Sequence, residues 1–82
     1  MSSMRPELLA LKEEMASSGI NKYCYAIDEI GEGYCIYDAR SVIEVYVSER
    51  GNRYDIQTFT DVHEAIERFK ELVFSDEVLN RK

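Results

Sequence analysis

The segment from Ile43 to Phe69 constrains the fold more than any other part of the chain. Apolar and polar residues alternate on both sides of a Gly51-Asn52 pair, and a helical pattern of apolar residues follows. Alternation with a period of two is typical of a half-buried strand, and a Gly-Asn pair suits the loop of a type II′ hairpin. We therefore predict two antiparallel strands, at about residues 42–50 and 53–59, joined by this turn.

The same turn predicts the register of the two strands. A two-residue Gly-Asn loop places Val47 opposite Ile56 and Val45 opposite Thr58, so that apolar side chains match on one face. Tyr46 and the positions that alternate with it then point to the other face.

The helix after this hairpin has a clear start. Asp61 is a good N-cap, and Glu64 three residues later completes a capping box. Apolar residues then recur at helical spacing, namely Val62, Ala65, Ile66, Phe69, Leu72 and Val73. These features predict a helix over about residues 61–74, followed by a charged tail at 75–82.

The first part of the chain predicts one helix and two further strands. An early proline and Gly19 mark the ends of an amphipathic helix at about residues 5–18. Aromatic and β-branched residues predict strands at about residues 23–27 and 34–38, separated by Gly31-Glu32-Gly33.

These elements fit a single domain, residues 1–82, of the α+β class. Short connections favour a four-stranded antiparallel meander, and the predicted order along the chain is α-β-β-β-β-α. Because both helices are amphipathic, we expect them to pack on one face of the sheet and to leave the other face partly open.

The net charge of −6 is concentrated in one stretch of the chain. Against a single base, Arg40, residues 23–49 contain six acids, namely Asp28, Glu29, Glu32, Asp38, Glu44 and Glu49. A negative surface repels phosphates, which argues against nucleic-acid binding, and it attracts basic proteins. Interleaved tyrosines such as Tyr37 and Tyr46 add the rigid contact area that protein interfaces favour.

No motif in the chain indicates catalysis, a cofactor or a metal site. Cys24 and Cys35 fall in the two strands of one predicted hairpin, where a disulfide is geometrically conceivable but free thiols are expected in a reducing cytosol. With His63 and a carboxylate they would make a zinc site whose spacing matches no common framework. A glycine-rich phosphate loop and a nucleophile elbow are missing, so we expect no enzyme.

Export and membrane signals are also missing from the sequence. The N-terminus gains acidic residues early, and no apolar run approaches the roughly 20 residues of a membrane span. We therefore expect a cytoplasmic protein without a signal peptide.

Several short motifs follow one another between about residues 25 and 73. They are Tyr34-Cys35-Ile36, Glu44-Val45-Tyr46, Ser48-Glu49-Arg50-Gly51-Asn52, Phe59, Glu64-Ala65 and Phe69. In this order the chain resembles small immunity proteins of bacterial polymorphic-toxin systems, including those paired with contact-dependent inhibition toxins. The resemblance implies an intracellular protein that binds one cognate toxin, often a nuclease, and blocks its active site or its access to substrate.

Under this interpretation the acidic strands supply the contact surface. The candidate partner-binding residues are Glu29, Glu32, Tyr37, Glu44, Tyr46 and Glu49. The carboxylates pair with Lys and Arg of the toxin in place of substrate phosphates, and the tyrosines anchor the centre of the interface. Arg50 has two interpretations: a toxin contact, or a brace that ties the hairpin down through Glu49 or Asp55.

A different class of function is compatible with the same residues. A small acidic adaptor, or a module that homodimerises through an exposed sheet edge, needs no toxin partner. A monomer or weak dimer that co-purifies with a basic partner indicates immunity, whereas a stable homodimer without a partner indicates the alternative.

Overall fold

The computed structural model describes residues 5–20, 22–29 and 31–75. Its elements are α1 (Pro6–Ser17), a 3₁₀ turn (Lys22–Cys24), β1 (Tyr25–Ile27), β2 (Gly33–Asp38), β3 (Ile43–Glu49), β4 (Asn52–Phe59) and α2 (Val62–Phe74). Their order confirms an α+β fold with the predicted succession of helices and strands. Most of the predicted tail, residues 76–82, lies outside the described residues.

The four strands form one mixed sheet in the order β1-β2-β3-β4. The pairs β2–β3 and β3–β4 are antiparallel. In contrast, β1 runs parallel to β2, with Tyr25 beside Tyr34 and Ile27 beside Ile36. The prediction of a purely antiparallel meander is therefore wrong for the first strand pair, although each strand has the neighbours expected for a meander.

Two glycines explain how so short a connection can join parallel strands. After β1, Asp28 adopts a φ of 56°, and its N–H donates to the carbonyl oxygen of Ile36 at 2.7 Å. The chain then returns so closely along β1 that a Cβ at Gly31 would lie 2.8 Å from the Cβ of Ala26. Gly33 has a φ of 89°, and a Cβ there would collide with the carbonyl oxygen of Cys24. Only glycine tolerates this approach, so the pattern interpreted as a hairpin turn is instead a tight crossover.

The β3–β4 hairpin also turns one residue earlier than predicted. Its loop residues are Arg50 and Gly51, with φ of 52° and 82°, and Asn52 is already the first residue of β4. Positive φ at both loop positions is the requirement of a type I′ turn, whose twist matches that of the flanking strands. Val47 consequently pairs with Tyr54, and the predicted pairing of Val47 with Ile56 is wrong.

A β-bulge in β4 changes the register a second time. Asp55 has a φ of 53°, and the register shifts where Asp55 and Ile56 oppose Tyr46. Beyond the bulge Val45 pairs with Gln57, not with Thr58 as predicted. The extra residue lets Tyr54 and Gln57 lie on the same face although three positions separate them.

Both helices cover one face of the sheet, as predicted. The main core combines the sheet residues Ile27, Ile36, Ile43 and Val45 with the helix residues Leu8, Leu11, Met15, Val62, Ala65, Phe69 and Val73. Tyr25 packs edge-on against Phe69, with ring centroids 6.4 Å apart.

The helix ends follow local rules. The Asp61 side chain caps α2 by accepting from the His63 N–H at 2.8 Å, and Gly19 takes a φ of 86° just after α1. Between the helices, Lys70 Nζ lies 2.8 Å from Glu14 Oε1. No helix among the described residues is long and apolar enough to cross a membrane.

Candidate partner-binding surface

The sheet face opposite the helices, called the open face below, carries a small second cluster. Ala26, Cys35 and Tyr46 are buried there together. The β1–β2 connection, residues 28–32, covers part of this cluster, because Cys35 Sγ lies 3.6 Å from the carbonyl oxygen of Gly31. The connection thus packs against this cluster on the open face.

Tyr37, Glu44 and Tyr46 from the predicted site meet on the open face. Tyr37 is the direct neighbour of Glu44 across β2 and β3. Arg53 from β4 lies between them and the edge: its Nη1 is 3.6 Å from Glu44 Oε1, and its Cζ is 4.8 Å from the centroid of the Tyr46 ring. Tyr37 is 37% exposed, but Tyr46 is only 4% exposed and offers a partner almost no area.

The buried groups of this cluster are held neutral. Burial raises the pKa of the Cys35 thiol, and hydrogen bonding to Tyr46 and the charge of Arg53 only partly offset it. Burial also raises the pKa of Tyr46, with the nearby Cys35 adding to it and Arg53 opposing it. A thiol with a raised pKa is a poor nucleophile, so the cluster has the chemistry of packing.

The six acids of residues 23–49 divide into two groups. Asp28 Oδ1 accepts from the Asp38 N–H at 3.3 Å. Asp38 accepts from Arg5 Nε and from the Arg40 N–H, both at 2.8 Å. Together with Glu44, these aspartates have hydrogen-bond or ion-pair partners within the fold, and Arg5 and Arg53 offset the charges of Asp38 and Glu44.

Glu29, Glu32 and Glu49 form the other group. All three are exposed, and none has an ion pair or side-chain hydrogen bond with the part of the chain that the structure describes. Glu29 and Glu32 lie in the β1–β2 connection, and Glu49 ends β3 beside the hairpin turn. These carboxylates therefore carry the uncompensated part of the predicted acidic surface.

A cleft of about 710 Å³ lies beside β1, the edge strand of the sheet. It is bounded by α1, by β1 and by the β1–β2 connection, and its lining residues are Lys12, Ala16, Tyr23, Tyr25, Ala26, Ile27, Glu29, Gly31 and Glu32. Two of the six predicted site residues, Glu29 and Glu32, thus contribute to one concave surface. Tyr23, which is 77% exposed, is the largest exposed apolar side chain at this cleft.

The sequence did not predict two residues of the candidate surface, namely Tyr23 at the cleft and Arg53 on the open face. Tyr23 was expected at the start of a strand, and no sequence signal shows that the strand begins two residues later. The predicted loop leaves Arg53 beside the turn, whereas the observed turn pairs it with Ser48 and brings it next to Tyr46 and Glu44. The correct turn type was the signal that would have found it.

Arg50 does not brace the hairpin through a salt bridge. It is exposed, and it makes no ion pair with Glu49, Asp55 or any other residue within the described ranges. Its contribution to the turn is its backbone, which adopts a φ of 52°.

The zinc alternative and the predicted cysteine hairpin have no counterpart in the structure. Cys24 lies in the 3₁₀ turn rather than in a strand, and both Cys24 and Cys35 are free thiols. Among residues 5–20, 22–29 and 31–75, no three His, Cys, Asp or Glu side chains are grouped so that they could hold a metal ion. His63 is exposed at the start of α2.

Comparisons with protein-family models, with curated proteins and with solved structures return no match to this chain.

Proposed function

We propose that this protein is a cytoplasmic immunity protein that binds a cognate bacterial toxin domain, a basic nuclease. It neutralises the toxin by covering the active site or the path of the substrate, and it performs no catalysis itself. The observation that carries the proposal is the group of exposed carboxylates, Glu29, Glu32 and Glu49, that lack a counter-charge among the described residues.

Uncompensated carboxylates suit a partner that grips phosphates. A nuclease surface presents Lys and Arg to the nucleic-acid backbone, and carboxylates can take the place of those phosphates. A net charge of −6 adds a long-range attraction that accelerates association with such a surface.

The engaged residues of the predicted site have lesser roles in this proposal. Tyr37 is exposed enough to anchor the partner, whereas the charge of Glu44 is offset by Arg53. Tyr46 acts indirectly, because its buried ring supports the Arg53 guanidinium from below.

The first test is protection of cells. The reading frame next to this one is expressed as an isolated toxin domain with and without the present chain. Survival only with the chain supports immunity, and equal killing in both cultures contradicts it.

The second test separates the contact surface from the fold. The double variant Glu32→Lys/Glu49→Lys is expected to weaken toxin binding at least about tenfold at low salt, with an unchanged Tm, since neither side chain has an ion-pair partner among residues 5–20, 22–29 and 31–75. The matched control is Glu13→Lys/Glu67→Lys, two exposed and unpaired glutamates on the helices. Equal loss of binding in both doubles would show that only net charge matters.

One observation favours the alternative, a homodimeric interaction module. The edge strand β4 is exposed from Asn52 to Thr58, including the apolar side chains of Tyr54 and Ile56. A second copy pairing there would bury these side chains. Sedimentation of the pure chain decides between the two: a stable dimer that Ile56→Asp dissociates supports the alternative and argues against a monomeric inhibitor.

A further inference from the structure

The cleft beside β1 has an apolar floor and a charged rim. Ala26 and Ile27, almost fully buried, form part of its lining, together with the aromatic side chains of Tyr23 and Tyr25. Glu29 and Glu32 reach the rim from the β1–β2 connection. A volume of about 710 Å³ exceeds what one side chain fills and lies within the range of roughly 300–1,000 Å³ typical of ligand sites.

The charges at the rim favour a cationic occupant over an anionic one. Among the described lining residues, two carboxylates stand against one cation, Lys12, and neither carboxylate is neutralised by a described residue. Aromatic rings beside carboxylates are the environment in which a guanidinium group binds best, because its plane stacks on the ring while its N–H groups donate to oxygens.

We infer that this cleft is the subsite for an arginine-bearing segment of the basic partner. The guanidinium stacks on Tyr23 and donates to Glu29 and Glu32, while the flanking backbone of the segment occupies the remaining volume of the cleft. This inference rests on the proposed function and identifies the part of the surface that recognises the partner. Arginine is preferred to lysine, because an ammonium group is a point charge that cannot stack and donate in this way.

The direct test titrates the full chain, isotope-labelled, with a short peptide of alternating glycine and arginine. At about 1 mM peptide, a concentration suited to weak contacts, we expect NMR shifts at cleft residues such as Tyr23 and Gly31 and none in β4. A citrulline peptide keeps the shape without the charge and is expected to give no shift, and a lysine peptide to bind at least about threefold more weakly. Shifts spread over the whole surface, or equal responses to the three peptides, overturn the inference.

A matched pair of variants on α1 separates the cleft from the net charge. Lys12→Ala and Ala10→Glu each lower the net charge by one unit, but only Lys12 lines the cleft, and Ala10 is exposed outside it. We expect Lys12→Ala to tighten binding of the arginine peptide about threefold and Ala10→Glu to change it much less. The same gain from both variants would contradict a local site.

A second pair tests the aromatic contact. Tyr23→Ala is expected to weaken the arginine peptide about fivefold, whereas Tyr54→Ala, at an exposed tyrosine of β4, is expected to leave its affinity unchanged. Retained affinity in Tyr23→Ala would remove the stacking contact from the proposal.

The cleft and the proposed function can fail separately. If the chain protects cells but the arginine peptide does not shift the cleft, the subsite is wrong and immunity stands. If the peptide binds in the cleft but no neighbouring toxin domain is neutralised, the subsite stands and immunity is wrong.

Discussion

The two faces of the sheet are built by different means. The helix side is closed by contiguous apolar packing of α1, α2 and the sheet. Among the described residues, the open face carries the buried cluster of Ala26, Cys35 and Tyr46, sheltered by Gly31 of the β1–β2 connection and by the Arg53 side chain. The first arrangement stabilises the fold through buried apolar area, and the second leaves side chains such as Tyr37 and Arg53 exposed. Substitutions on the two faces should therefore separate folding from binding.

The largest effect is expected on the helix side. Leu8→Ala removes a fully buried side chain and is expected to lower the free energy of unfolding by about 2–5 kcal/mol. Leu9→Ala, its neighbour on the exposed side of α1, is the control and should cost less than about 1 kcal/mol. Urea denaturation measures both, and equal losses would contradict the assignment of the core.

The next effect concerns the crossover that shelters the open face. Gly33→Ala places a Cβ against the Cys24 carbonyl oxygen at a φ of 89° and is expected to cost about 2–4 kcal/mol. Gly51→Ala has a similar φ of 82° but no atom within 4 Å of the added Cβ, and it is expected to cost about 1 kcal/mol. Both variants carry the strain of a positive φ, so the difference between their Tm values measures the clash of the Cβ added at Gly33 with the Cys24 carbonyl oxygen. Identical Tm values would argue against a β1 that runs parallel to β2.

A smaller difference is expected between an engaged and an unengaged acid. Asp38→Ala removes the acceptor for Arg5 Nε and the Arg40 N–H, and should cost about 1–2 kcal/mol. Glu29→Ala removes no ion pair or side-chain hydrogen bond among the described residues and should leave stability within about 0.5 kcal/mol of the parent. Comparable losses of unfolding free energy in the two variants would contradict the division of the six acids into an engaged and an exposed group.

Arg53 provides a case in which stability and binding should move in opposite directions. Arg53→Ala uncovers the Tyr46 ring and releases Glu44, at an expected cost of about 0.5–1 kcal/mol. The same change leaves Glu44 uncompensated, so a basic partner should bind more tightly. Arg53→Lys keeps the positive charge but loses the planar contact with the Tyr46 ring. Calorimetry on both variants would show whether the loss of charge or the loss of stacking causes the gain in affinity for the basic partner.

The smallest effect is a pH dependence at the open face. Because burial raises the pKa of Cys35, its contribution to stability is complete below the ordinary thiol value of 9.0 and is lost as the pH rises through the folded pKa. We therefore expect the free energy of unfolding to decline above pH 9 slightly less in Cys35→Ala than in the parent chain. An identical decline would mean that the thiol is not linked to folding.

Local patterns predicted the elements well because their causes are local. The spacing of Leu8, Leu11 and Met15 forms a helix wherever it can be buried, and Asp61 caps α2 through its own next residues. The direction of β1 was not predictable in this way. It depends on how closely Gly31 and Gly33 approach Ala26 and Cys24, contacts that exist only once the chain has folded back.

The negative charge of the candidate site was predictable from the sequence, but the residues that are exposed and unpaired there were not. The sequence places the acids in one stretch, yet which of them are available depends on bases elsewhere, such as Arg5 for Asp38 and Arg53 for Glu44. The hairpin register depended on a choice between Gly-Asn and Arg-Gly loops that lie one residue apart. The bulge at Asp55 has no sequence signal of its own, and it determines the strand pairs beyond it, from Val45 with Gln57 to Ile43 with Phe59.

The shortness of the β1–β2 crossover also bears on how the chain folds. Parallel strands usually form slowly, because a long loop must close before their contacts compensate for the lost entropy. Here only residues 28–32 separate the two strands, so closing this loop costs little chain entropy. The most distant contacts are instead those between α1 and α2, which lie near opposite ends of the described chain. The energetic barrier to folding is therefore expected to lie in docking the two helices, and not in pairing the parallel strands.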